Sequence, residues 1–176
     1  IASLVDTAID EFVVPMVGDA INSGSEQGAM TVPTLLESNQ QENFLEDVSI
    51  PACFKGRTFV VFDLETTGTD ATSDKITEIG AVKIVDGKIE SYFETFVNPQ
   101  KRIPTEVVNL TGITDEMVAD APLFEDVCPD FYKYCHGATL VAHNIEFDSK
   151  FIRKNSEPLD YIFDHPQLDT LALGRE

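Results

Sequence analysis

The sequence predicts an α/β fold, a mixed central sheet with helices packed against it. Residues 58–64 form a β-branched and aromatic run that reads as a strand buried on both faces. Residues 76–85 and 88–97 flank Asp86-Gly87, a strong two-residue hairpin signal. Beyond them, apolar residues at helical spacing are interrupted by one short apolar run at 139–142. Strand, hairpin, helices, strand and helix in that order call for a mixed sheet with its helices laid against it.

At 176 residues the chain suits one medium domain with a flanking piece. Its unusual feature is charge: 31 acidic against 12 basic residues leave a formal −19, which opposes non-specific attraction to a polyanion. A nucleic-acid substrate would need a local reversal of sign, which divalent metal at a carboxylate cluster provides. Cys53, Cys128 and Cys135 form neither a CxxC pair nor an even disulfide set, which favours a reducing compartment and argues against zinc. No apolar run is long enough to span a bilayer and no signal peptide is legible, so a cytoplasmic protein is expected. The first residue is Ile1 and the last, Glu176, falls in a helical pattern, as expected for a piece of a longer protein.

Residues 1–17 read as an amphipathic helix, with Leu4, Val5, Ala8, Ile9 and Phe12 on one face, whose plain role is packing or docking. Residues 18–54 shift to Gly, Ser, Asn, Gln and acid and read as a flexible acidic linker. No Lys or Arg precedes Lys55, so this part is a poor binder of a phosphate backbone. The folded domain is assigned to residues 55–176. Short helices are expected at 105–110 and 114–118, separated by Gly112, and a longer one at 123–135 that Pro129 should kink or shorten and Gly137 should end. Residues 146–154 give the last helix.

Asp63 and Glu65 stand at the end of the first strand, two apart, so both point to one side while Leu64 faces the other. Two acids aimed into one space repel unless a cation lies between them. Thr66-Thr67-Gly68 then offers hydroxyls, backbone N–H groups and a residue free to take positive φ, a turn suited to close approach by a ligand. Asp148 falls in the first turn or so of the helix after the fourth strand, at the sheet edge where ligands bind. Phe147 and Phe151 share a face that can anchor this helix and fix where Asp148 points. Asp148 and Glu146 also read plainly as acids favoured by the helix dipole, and Asn144 as the cap of that helix. Asp148 together with Asp63 and Glu65 favours a metal site.

Asp63-Leu64-Glu65-Thr66-Thr67-Gly68, then Ile76-Thr77-Glu78-Ile79-Gly80-Ala81-Val82, then Leu110-Thr111-Gly112-Ile113-Thr114, then Ala142-His143-Asn144-Ile145-Glu146-Phe147-Asp148 resemble, in order, the motifs of the DEDD (DnaQ-like) 3′-to-5′ exonucleases. The resemblance covers about residues 57–175. Within the family, Leu110-Thr111-Gly112-Ile113-Thr114 and Asp169-Thr170-Leu171-Ala172-Leu173-Gly174-Arg175 are most similar to the proofreading domain of PolC-type DNA polymerase III, with the module of DinG-type helicases close behind. The resemblance implies a ribonuclease H-like fold and two divalent cations, Mg²⁺ or Mn²⁺, held by Asp63, Glu65 and Asp148. It implies a pocket for the terminal nucleotide at Leu64, Thr66 and Thr67, and a role for Asn144 in organising the second strand end. The partners it implies are the single-stranded 3′ end of DNA and other domains of a replicative polymerase, with no membrane.

The family's last motif, a His with an Asp five residues later, has no match in the 176 residues. His165 and Asp169 are four apart, and Asp169 belongs to the stretch that precedes that motif in relatives. His165 reads as a loop histidine and His136 as a helix-end residue. With three of four carboxylates and no general base, weak activity or none is expected of this stretch alone. A catalytically dead binding or scaffold module and an RNA-trimming exonuclease remain as alternatives.

Overall fold

The computed structural model describes residues 54–173. The helix expected at 1–17, nearly all of the linker at 18–54 and Cys53 lie outside the described residues. Strand β1 (Thr58–Thr66) leads through a loop to β2 (Ile76–Val85) and, by a hairpin, to β3 (Lys88–Phe96). Helices α1 (Thr105–Thr111), α2 (Asp115–Val118) and α3 (Phe124–Cys135) follow, then β4 (Thr139–Ala142), α4 (Ile145–Ser156), β5 (Gln167–Asp169) and the short α5 (Thr170–Leu173). The sheet order is β3-β2-β1-β4-β5, antiparallel on the β2 side of β1 and parallel on the β4 side.

Register decides which residues serve the core. Val60, Phe62 and Leu64 of β1 join Ile79 and Ala81 of β2 under helices α3 and α4, where Phe131, Phe151 and Ile152 are fully buried. Phe131 is the hub, with ring centroids 6.0 Å from Phe62, 5.2 Å from Phe93 and 5.9 Å from Phe163. Phe59, Val61, Val82, Ile84 and Val141 form a second cluster on the opposite face, joined by Phe54, Ile89 and Leu168. A smaller cluster of Ile103, Ile113 and Val118 holds α1 and α2.

Three local expectations change. Pro129 lies inside α3 without ending it. The bond it forfeits is to Glu125, on the exposed first turn, where water can serve the freed carbonyl. Strand β5 has only three residues and too little pattern to be read from sequence; pairing with β4 defines it. Asn144 occupies the capping position of α4 but makes no side-chain cap bond, because its backbone is left-handed, at φ 59° and ψ 51°. Its N–H instead donates to Asp169 Oδ1 at 2.9 Å. The hairpin at Asp86-Gly87 is as expected, with φ of 51° and 74°, a conformation glycine takes without strain.

Candidate active site

The C-terminal end of β1 gathers the acids. Asp63 and Glu65 belong to the face that carries Phe59 and Val61, and each is half-buried. Asp63 stands across from Gly80, which adds no side chain, and Glu65 stands across from Glu78. Asp148 comes from the first turns of α4, which Ile145, Phe151 and Ile152 pin to the core. Phe147 and Phe151 pack with centroids 5.0 Å apart, the anchoring expected from their spacing. The Asp148 side chain is buried, at 1% exposure, and its Oδ1 has no hydrogen-bond partner.

The electrostatics bind these groups into one set. Burial, then the charge of Asp63, pushes the Asp148 carboxyl up to about 8 against the pull of backbone N–H groups, with Glu65 adding to the rise. Burial, then Asp63, pushes Glu65 up to about 7. Glu78 rises to about 7 through burial, then Glu94, Glu65 and Asp63. Among the described residues no three His, Cys, Asp or Glu side chains close on a single point tightly enough to cage an ion. Hard oxygen donors, mutually raised pKa values and an orphaned buried carboxylate oxygen all fit a divalent cation at this end of the sheet.

The residues expected to hold a nucleotide are placed as follows. Leu64 is 4% exposed with its side chain in the core, so only its backbone is available to a ligand. Thr66 and Thr67 are buried and their hydroxyls are engaged within the protein. Thr66 Oγ1 donates to the Gly68 carbonyl at 2.6 Å, and Thr67 Oγ1 donates to Asp74 Oδ1 at 3.1 Å while accepting from the Lys75 N–H at 3.1 Å. Gly68 does not take the positive φ expected of it. A glycine is needed there because a methyl group would collide with the Asp74 carboxylate. His143 and Asn144 are exposed at the start of α4, and His143 Nδ1 lies 3.2 Å from Thr170 Oγ1. His165 lies instead beside Tyr132 and Phe163, in the aromatic packing.

Glu78 and Asp74 are the residues that sequence reasoning missed. The loop between β1 and β2 does not fix the register that sets Glu78 against Glu65. Asp74 reads as one more loop acid until its contacts are seen.

Comparison with known proteins completes the assignment. The sequence profile of the exonuclease family of RNase T type matches residues 60–176. The chain belongs to this exonuclease family. It is 42% identical over 173 residues to the PolC-type DNA polymerase III of Caldanaerobacter subterraneus subsp. tengcongensis, covering 94% of this chain and 12% of that protein. It is 48% identical over 125 residues to a putative bifunctional exonuclease/endonuclease protein of Mycobacterium tuberculosis, covering 67% of this chain and 19% of the relative. The chain therefore spans only a small part of these relatives. Exonuclease I from Methylocaldum szegediense superposes with a TM-score of 0.60 at 19% identity, over 68% of this chain and 29% of that one, which shows the shared ribonuclease H-like fold.

Proposed function

We propose that this domain hydrolyses the terminal phosphodiester of a DNA strand from its 3′ end, releasing nucleoside 5′-monophosphates, as the proofreading part of a PolC-type cytoplasmic replicative polymerase. The observation that carries the reading is the buried Asp148 carboxyl, one oxygen of which, Oδ1, has no hydrogen-bond partner, brought into electrostatic contact with Asp63 and Glu65 at one strand end. Asp63, Glu65 and Asp148 are the residues that would hold Mg²⁺ or Mn²⁺. When bound, two such ions supply the positive charge that stabilises the attacking water oxygen and the leaving 3′ oxygen of the penultimate nucleotide.

The chain's own residues do the rest. The carboxylates repel phosphate until their charge is compensated, which ties strand binding to cation binding. The Thr66–Gly68 turn, held by its internal hydrogen bonds, presents backbone to the terminal nucleotide. Asn144, exposed beside the helix that carries Asp148, borders the same strand end. Water attacks phosphorus, the bond to the penultimate 3′ oxygen breaks, and that oxygen takes a proton while the attacking water loses one. A positioned base for that loss is worth about 10² to 10⁴ in rate, so weak turnover is expected from these residues alone.

The test is release of labelled nucleotide from a 3′-labelled single-stranded oligodeoxynucleotide in Mg²⁺ or Mn²⁺, with Asp63→Ala as control and the matched RNA strand as competitor. Release abolished by Asp63→Ala, from this chain or from the same chain carrying a relative's final His and Asp motif, supports the reading. No release from either would leave a strand-binding or scaffolding module. Cleavage of the RNA strand in preference to the DNA strand would move the substrate to RNA.

A further inference from the structure

The nine residues between β1 and β2 are tied down more tightly than a plain loop requires. The carboxylate of Asp74 accepts from Thr67 Oγ1 at 3.1 Å, from the Asp70 N–H at 3.1 Å and from Lys101 Nζ at 3.1 Å. Lys101 lies beyond β3 and also donates to the Ser73 carbonyl at 3.1 Å, so it clamps the loop from a separate segment. Asp74 is in turn fixed by its own N–H on the Asp70 carbonyl at 2.7 Å. Its carboxylate fills the space beside Gly68 that a side chain would need. Thr67 receives both ends of the arrangement, since its N–H donates to the Lys75 carbonyl at 2.8 Å and its hydroxyl accepts from the Lys75 N–H. Burial raises the Asp74 pKa, yet the bonds from Asp70, Lys101 and Thr67 outweigh it and hold the group below its ordinary range.

This network stops two residues short of Glu65 and contains Thr67 and Gly68 of the proposed nucleotide turn. We infer that Asp74, clamped by Lys101, is a positioning residue that preshapes the Thr66–Gly68 turn for the 3′-terminal nucleotide. The inference rests on the exonuclease reading and adds to it a salt bridge that sets affinity for the strand end. Acting through Thr67 and Gly68, the clamp lowers the ordering cost of binding, which is how a rigid first contact gains affinity.

The test uses the whole chain and reads binding apart from turnover. A 5′-fluorescein single-stranded oligodeoxynucleotide with a free 3′-hydroxyl is titrated in Ca²⁺ and followed by anisotropy, with Mn²⁺ binding and thermal unfolding measured on the same samples. Asp74→Asn and Lys101→Met should each weaken end binding about tenfold, the cost of a lost charge-assisted contact. Mn²⁺ binding should be unchanged. The double variant should be little worse than Asp74→Asn, since both changes break one interaction, and Lys101→Arg should restore binding. Unchanged strand affinity in folded Asp74→Asn and Lys101→Met proteins, or losses that simply add, would overturn the clamp while leaving the nuclease reading intact. An unmodified chain that binds no Mn²⁺, or binds a 3′-phosphorylated strand as well as a 3′-hydroxyl one, would overturn the exonuclease reading and the clamp with it.

Discussion

Asp148 sets the character of the site at the scale of single residues. Its carboxyl is pushed up to about 8, and Glu65 and Glu78 to about 7, whereas in an unfolded chain they would titrate near 4. Between those values the folded chain keeps protons that the unfolded chain has released, so these groups lower stability as pH rises from about 4 to about 8. Asp70 and Asp74 are held below their ordinary range and act in the opposite sense, adding stability that is lost only in stronger acid. Thermal unfolding in chelator should therefore show a melting temperature that falls from pH 5 to pH 8.5. Adding Mg²⁺ or Mn²⁺ should restore it far more at pH 8.5 than at pH 5. Asp148→Asn should flatten the metal-free pH dependence and, on the proposed exonuclease reading, reduce nucleotide release at least about 10²-fold by removing a charge that would hold the cation. A melting temperature that rises steadily with pH in chelator would contradict the coupling of these acids.

At the scale of elements, α4 is the lever that brings its acid to the sheet. Its start is held by Asp169 Oδ1, which accepts from the Asn144 and Leu171 N–H groups, both at 2.9 Å, and so joins the ends of β4 and β5. Asp169→Ala leaves both donors to water and should cost about 0.5–1.5 kcal/mol in denaturant unfolding. Helix α3 is fastened by Phe131, and Phe131→Ala should cost about 3–5 kcal/mol by the same measurement. Both helices were legible from apolar spacing. Residues 167–169 were not, because three residues carry no period and become a strand only by pairing with β4.

The whole molecule carries a formal −19 and still belongs to a family of nucleases. Such a field opposes non-specific attraction to duplex DNA. Without divalent cation, anisotropy should detect no duplex binding even at low salt, whereas a 3′-hydroxyl single strand should bind once Ca²⁺ is present. Tight duplex binding in chelator would show that a basic surface outweighs the acidic total. Among the described residues no helix is long and apolar enough to cross a membrane, and Cys128 and Cys135 are free, buried thiols pushed up to about 11 and about 12.

The sequence by itself determined the order of the main elements, because periodicity and the Asp86-Gly87 turn are properties of neighbours along the chain, and it pointed to the family through the resemblance of its ordered motifs to those of the DEDD exonucleases. Only the tertiary structure set Glu78 across from Glu65, clamped Thr67 between Asp74 and Lys75, and held Asn144 on Asp169. Each of these depends on register or on segments far apart in sequence, and the energies that choose among them are cross-strand packing and hydrogen bonds that no local pattern encodes.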